Sequence, residues 1–444
     1  VRTALEEEVL KRIRPTREQL LLLGKLYAGI KNRLETCLSS RGFRVIVEAE
    51  GSYAKGTLLS DKWEVDIFAI FPEASVDWIN RESLQHIKTC LGSSYPFYMK
   101  YAQHPYLTVS LMGMEADIVP VTGNPRMGVE RTPLHTRWVL SRFDDRLRDE
   151  ARLLKSFLKG LGIYGAETRT RGFSGYAAEL LVYAYGGFRS VLEAAREWRP
   201  GTIIDPEGRN RGENLRRKYR DSVIIIVDPV DPERNAAASV SMKSLAVFVA
   251  ASKLYLKRPS PYFFHVYKCK PARPPKPRSL CLLRLSCNGT FTSKPPETVW
   301  GRLYRSARNL ARLLSDEGFT VYNVTVEYDE SSTADILLLL GECRRRSLET
   351  LKGPPAWSRD ERIVGFVEKR LRENSIAYFT EEGALVGLRY REPLSAVEVA
   401  LSWIGGPGDH ITGPFSARCT PRLYRCWEEW IPQCDPTPCW MRSP

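Results

Sequence analysis

One stretch constrains this chain more than any other: Gly51-Ser52, an eleven-residue spacer, then Glu64-Val65-Asp66 inside the apolar run Trp63 to Phe71. Phe43 to Ala49, just before it, alternates apolar and polar residues and predicts a strand. Gly51-Ser52 reads as a tight turn that opens a short helix, and the free backbone N–H groups of such a start suit a phosphate. Trp63 to Phe71 reads as the neighbouring strand. Residues i and i+2 of a strand share a face, so Glu64 and Asp66 project together while Val65 and Ile67 enter the core. Two adjacent carboxylates repel, and divalent cations are the simplest relief. The stretch specifies a phosphate cradle beside a metal site.

A third carboxylate belongs on an adjacent strand, and Asp117 in Met114-Glu115-Ala116-Asp117-Ile118-Val119-Pro120 fits. Three carboxylates from two strands can hold two Mg2+ ions, one activating an attacking hydroxyl and one gripping a triphosphate. Each of Glu64, Asp66 and Asp117 alone also reads as a solvated edge residue; the combined pattern favours the metal site.

At 444 residues, with 43% hydrophobic and 27% charged, the chain is globular. Its length predicts about two to four domains. A formal net charge of +14 suits a polyanionic partner. Val1 to Leu10 carries Glu6-Glu7-Glu8 and lacks the basic-then-apolar form of a signal peptide. The longest apolar runs, Val223 to Val227 and Ile336 to Leu340, are too short to span a bilayer. These features predict a cytoplasmic protein with no membrane partner. Ten cysteines form no C-x-x-C pair; Cys419, Cys426, Cys434 and Cys439 crowd the tail, where bridges, a metal or neither remain open.

The expected fold class is α+β, multidomain. Pro15 to Arg41 has helical apolar spacing, Asp77 to Cys90 reads as a second helix, and Tyr106 to Met112 with Glu115 to Val121 reads as a hairpin around Gly113. These make a mixed sheet with helices over residues 1–142. Residues 143–258 read as mainly helical, with Thr132 as the N-cap of the helix before them. Helices are expected at Asp144 to Gly160, Ser174 to Tyr185, Ser190 to Trp198 and Ser241 to Leu256, with a polar loop from Asp205 to Asp221. The Pro271 to Pro277 cluster marks an exposed loop or linker. Strand, helix, strand, strand from Leu280 to Gly341 suggests a ferredoxin-like module within 259–404, and the tail over 405–444 has no assignment.

Gly-Ser, a spacer and an acidic-x-acidic strand resemble the nucleotidyltransferase superfamily that includes poly(A) polymerases. Gly51-Ser52-Tyr53-Ala54-Lys55-Gly56-Thr57, Arg131-Thr132-Pro133-Leu134-His135 and Gly162-Ile163-Tyr164-Gly165-Ala166-Glu167 look more closely like the archaeal (class I) CCA-adding enzymes. Arg171-Gly172-Phe173-Ser174-Gly175-Tyr176 and Asp228-Pro229-Val230-Asp231 through Arg234-Asn235 belong to the same pattern. The likeness is strong over about 1–260 and looser to about 400.

That resemblance implies a CTP/ATP:tRNA nucleotidyltransferase that adds or repairs the 3′-terminal CCA without a nucleic-acid template. Glu64, Asp66 and Asp117 would be the catalytic and metal-binding carboxylates, with Asp117 placed to take the proton of the tRNA 3′-hydroxyl. Ser52 and Lys55 would hold triphosphate oxygens, although the family pattern has Arg at the latter position, and Lys lacks its bidentate fork. Thr132, His135, Lys155 and Tyr164 would line the ribose and triphosphate side, and Arg234 would reach the base edge. Plain structural readings stand beside these: Lys155 as a solvated helix position, Tyr164 as a core cap, Arg234 as a salt-bridge partner of Asp228 or Asp231. Glu179 reads as structural. The implied partners are CTP, ATP and tRNA, gripped at its acceptor stem, TΨC arm and 3′ end, with a homodimer left open. Arg209, Arg211, Arg216, Arg217, Lys218 and Arg220, and the run Arg344-Arg345-Arg346, are candidate phosphate contacts. A poly(A)-type transferase and a catalytically inactive RNA-binding protein stay open as alternatives.

Overall fold

The structure, a computed structural model, describes residues 2–101, 105–123, 131–208, 212–268, 280–290, 295–345, 348–373, 376–390, 392–405, 416–425 and 438–441. Arg209, Arg211, Arg346, the Pro271 to Pro277 cluster, Cys426 and Cys434 lie outside these. The chain divides into two compact units, residues 1–270 with 437–444, and residues 271–436.

The first unit opens with α1 (Ala4–Ile13), started by reciprocal bonds between Thr3 and Glu6. Thr16 caps α2 (Arg17–Ser40), which buries Leu23, Leu26, Ile30, Leu34 and Leu38 on one face, as the periodicity predicts. Next come β1 (Ile46–Glu50), the single turn α3 (Gly51–Ala54) and β2 (Glu64–Phe71). The helix expected at Asp77 to Cys90 is interrupted: α4 (Val76–Trp78) passes through a π-helical turn, Ile79–Ser83, into α5 (Leu84–Leu91). A disulfide joins Cys37 of α2 to Cys90 of α5. Strands β3 (Phe97–Tyr101), β4 (Pro105–Leu111) and β5 (Met114–Thr122) complete a five-stranded sheet in the order β1-β2-β5-β4-β3. Its β2–β5 pair is parallel, whereas β1–β2, β4–β5 and β3–β4 are antiparallel.

The same unit continues with α6 (Thr132–Leu140), α7 (Asp145–Gly160), α8 (Gly175–Tyr185) and α9 (Phe188–Ala195). Helix α6 starts at Thr132 itself, with Arg131 in the flanking position, so Thr132 is not the N-cap. Asp144 and Ser174 cap α7 and α8. Then follow β6 (Thr202–Ile204), α10 (Gly212–Lys218), β7 (Ile224–Asp228), β8 (Asp231–Asn235) and α11 (Met242–Lys257). The expected polar loop thus contains a helix, anchored by the fully buried Leu215 while Arg216, Arg217 and Lys218 face outward. Phe157, Phe173, Phe188, Phe248, Tyr255 and Phe263 form the centre of the core around these helices.

The second unit contains β9 (Cys281–Thr290), α12 (Pro296–Asp316), β10 (Val321–Tyr328) and β11 (Thr333–Leu340). After these come β12 (Leu348–Lys352), α13 (Asp360–Arg372), β13 (Ile376–Phe379), β14 (Leu385–Tyr390), α14 (Ala396–Gly405) and β15 (Ser416–Arg425). The larger sheet, β10-β11-β9-β15, is wholly antiparallel, and its last strand falls in the tail that the sequence left unassigned. Strands β12, β13 and β14 make a separate small sheet. The two ends of the segment that carries this small sheet meet: Arg344 bridges Ser395, and Arg345 N–H donates to the Leu394 carbonyl at 2.8 Å. A second disulfide, Cys281 to Cys343, ties β9 to that junction. Among the described residues no helix is long and apolar enough to cross a membrane.

Candidate functional site

The parallel register of β2 and β5 sets Asp66 beside Asp117 and Glu64 beside Glu115. Burial alternates along both strands, Val65, Ile67, Ala116 and Ile118 entering the core while the four carboxylates share the other face. Glu115 is a fourth acidic member that the search for a third carboxylate passed over, although its i, i+2 spacing to Asp117 was visible. Lysines answer part of this charge: Lys62 bonds Glu64 at 2.8 Å, and Lys100 bonds Glu115 at 2.9 Å with Asp117 at 3.9 Å. Thr108 donates to Asp117 at 2.6 Å. Asp66 has no lysine of its own; burial first, then Glu64 and Asp117, push its carboxyl up to about 7. Burial likewise raises Asp117.

The turn behind β1 packs directly onto this face. Gly51 has φ +67°, and a Cβ there would overlap the Asp66 carboxylate, so only glycine allows the close approach. Ser52 lies in the first turn of α3, half-buried. As placed, no group of three His, Cys, Asp or Glu side chains among the described residues forms a ready ligand set. The donor chemistry nevertheless fits a hard divalent cation: four carboxylates on one face, two of them bonded to lysines, and a third, Asp66, raised by burial and then by its acidic neighbours. Glu64, Asp66 and Asp117 are the residues that would hold it.

Lys55 and Lys155 meet on one carboxylate. Glu179 of α8, fully buried, accepts from Lys55 at 2.8 Å, from Lys155 at 2.7 Å and from the Thr57 hydroxyl at 2.6 Å. Lys155 also donates to Thr57 Oγ1 at 2.8 Å. Lys155 is 1% exposed, so it is no solvated helix position, and Glu179 is far more than a packing residue. The Tyr164 hydroxyl reaches the same place: a Cβ on Gly175 would come 2.8 Å from it and 3.5 Å from Lys155 Cε. Burial, then Glu179, pushes the Tyr164 phenol up.

A second hub adjoins the first. Asp228, fully buried at the end of β7, bonds His135 Nε2 at 3.0 Å, the Tyr176 hydroxyl at 3.0 Å and Arg234 at 2.8 Å. His135 stacks on Tyr176, with ring centroids 3.9 Å apart, and Lys55 lies 5.3 Å over the other ring system of the pair, Tyr176. Burial lowers the His135 pKa, while His135 and Arg234 keep Asp228 below the ordinary carboxylate range against its own burial. Arg234 makes the salt bridge that its plain reading foresaw, and it also lines a cavity of about 850 Å³ with Arg131, Leu134, Ser174, Lys218 and Tyr219. Thr132 stands at the start of α6, next to Arg131 of that cavity. In the second unit Arg345 bonds Glu317 at 2.6 Å and the Glu392 carbonyl at 2.7 Å, and Arg344 is exposed.

Comparison with known proteins agrees with this geometry. Residues 31–144 match the family model described as nucleotidyltransferase domain, and residues 149–265 match tRNA nucleotidyltransferase, second domain. The chain is 42% identical to the CCA-adding enzyme of Aeropyrum pernix, over 99% of this chain and 96% of that protein. It is 36% identical to the CCA-adding enzyme of Saccharolobus shibatae, over 89% and 91%. The enzyme of the same name from Sulfurisphaera tokodaii is also 36% identical, over 87% and 88%. With likeness running through the carboxylate strands, the helical segment and the second unit alike, the chain belongs to the archaeal family of CCA-adding enzymes, the tRNA nucleotidyltransferases.

Proposed function

We propose that the chain adds or repairs the 3′-terminal CCA of tRNA, using CTP and ATP and no nucleic-acid template. The observation that carries this is the register that sets Asp66 beside Asp117, next to a turn and two buried lysines suited to a triphosphate. In each step the RNA 3′-oxygen forms a bond to the NTP α-phosphorus, the bond to the β-phosphate bridging oxygen breaks, and pyrophosphate leaves. Divalent cations, Mg2+ by the chemistry of the donors, would supply charge neutralisation and hydroxyl activation from Glu64, Asp66 and Asp117. Asp117, whose pKa burial raises, would accept the hydroxyl proton. Ser52, Lys55, Lys155 and Tyr164 would orient the triphosphate, Thr132 and His135 the ribose, and Arg234 the base edge.

In this reading residues 1–142 carry the chemistry, 143–258 close the nucleotide pocket, and 259–404 grip the acceptor stem and TΨC arm by the shape of A-form RNA, in the cytoplasm. Arg216, Arg217, Lys218 and Arg220 all face solvent, as phosphate contacts must. The test is extension of a tRNA lacking CCA by the purified chain with Mg2+, given CTP and ATP separately and together. Addition of C, C and A, with arrest after A, is expected; AMP addition alone would move the reading to a poly(A)-type transferase. Asp66→Asn and Asp117→Asn should each lower the rate by on the order of 10³-fold with the fold intact.

A further inference from the structure

The network of Lys55, Lys155, Thr57 and Glu179 is buried throughout, with exposures of 6%, 1%, 0% and 0%. Two lysines from different elements converge on one carboxylate. Lys55 closes the turn that begins at Gly51-Ser52, and the Tyr164 hydroxyl lies beside Lys155 at Gly175, so both lysines border the segment read as the triphosphate cradle. The bonds also join separate segments: Lys55 and Thr57 come from residues 31–144, Lys155 and Glu179 from residues 149–265.

Resting on the nucleotide reading above, we propose that Glu179 is a positioning residue: its carboxylate fixes both lysine ammoniums, from the two matched segments, at the spacing that receives the β- and γ-phosphates of CTP or ATP. Each oxygen has its own task. Oε2 takes Lys55 alone, while Oε1 takes Lys155 and the Thr57 hydroxyl together, and Thr57 Oγ1 accepts from Lys155 in turn. The geometry of Lys155 is thereby fixed from two sides. Glu179 is fully buried and bonded to the two lysines and Thr57, so its removal should act through them and leave the nucleoside end of the pocket untouched.

The test compares Glu179→Gln, Thr57→Val and Lys155→Met in the full chain. Affinity for CTP and for CMP is measured by titration, and KM and kcat by tRNA extension. Glu179→Gln should weaken CTP about 10- to 100-fold and CMP less than about twofold, raising KM more than it lowers kcat. Thr57→Val should do the same at about the lower bound, and Glu179→Asp should recover part of the loss. If Lys155→Met leaves CTP affinity unchanged, the triphosphate reading itself fails. If Lys155→Met weakens CTP and Glu179→Gln does not, the positioning role alone is overturned. Equal loss of CTP and CMP would also overturn it, as the mark of a merely structural carboxylate. Should Glu179→Gln fail to fold, Thr57→Val decides by the same contrast.

Discussion

Asp66 concentrates the electrostatic problem of the carboxylate face in a single side chain. Its pKa stands at about 7 against an ordinary 3.8, so below about pH 4 the group is neutral in folded and unfolded chains alike and costs nothing. As pH rises through this window the unfolded chain ionises first, and the folded, metal-free protein loses stability until the cost is complete above about pH 7. A bound divalent cation selects the ionised form and reverses the loss. Mg2+ should therefore raise the melting temperature by about 2–4 °C at pH 8 and by much less at pH 5, and Asp66→Asn should remove the difference. An equal shift at both pH values would count against cation binding at this face. The turn beside it makes a second prediction. Gly51→Ala forces a side chain into φ +67° and onto the Asp66 carboxylate, so it should cost about 1–2 kcal/mol of stability by denaturant titration and most of the extension activity. At this scale the sequence was legible where chemistry and period coincide, as in Glu64-Val65-Asp66. It was not legible where burial depends on partners remote in the chain. Lys155 sits on a helix that is covered on nearly every side, so its polar neighbours in sequence say nothing of its surroundings. Glu179 acquires its partners from 24, 122 and 124 positions away.

Elements with a strong apolar period, α2, α7, α8, α11 and α12, form within a few residues of where the spacing places them. Those that escape the reading lack an internal signal. Helix α10 has one buried anchor, Leu215, among charged residues, and β3 exists as a strand because β4 offers its edge. The π-helical turn that breaks the expected helix after β2 has no marker in composition. Asp228 shows what an element's end can do: the last residue of β7 gathers α6 through His135, α8 through Tyr176 and β8 through Arg234. Asp228→Asn keeps the shape and removes the charge that these donors share. It should lower stability by about 2–4 kcal/mol, whereas Tyr176→Phe, which removes one neutral donor, should cost about 1 kcal/mol. Thermal and denaturant unfolding of the two variants side by side measures the contrast.

Across the whole molecule the cysteines go beyond the sequence reading, which singled out only the tail: Cys439 there is disulfide-bonded, and further bridges lie outside it. Cys37–Cys90 and Cys281–Cys343 close spans of 53 and 62 residues, one in each unit, and no described cysteine is free. Pairing between residues so far apart leaves no local trace, so spacing could not reveal it. Replacing Cys37 and Cys90 together with Ser should lower stability by about 2–4 kcal/mol, and adding a reductant to the unaltered chain should lower its melting temperature in the same direction. The junction at Arg344 and Ser395 carries a different consequence. Because the chain leaves β11 for the small sheet and comes back from it to α14 at neighbouring backbone positions, β12, β13 and β14 with α13 are a cassette spliced into one connection. Its excision, with a two-residue Asn-Gly turn joining position 345 to 394, should leave the second unit folded and the chain able to bind CTP. Such a chain would be a natural acceptor for grafted modules, since this loop can lengthen, shrink or be exchanged while the strand order around it stays the same.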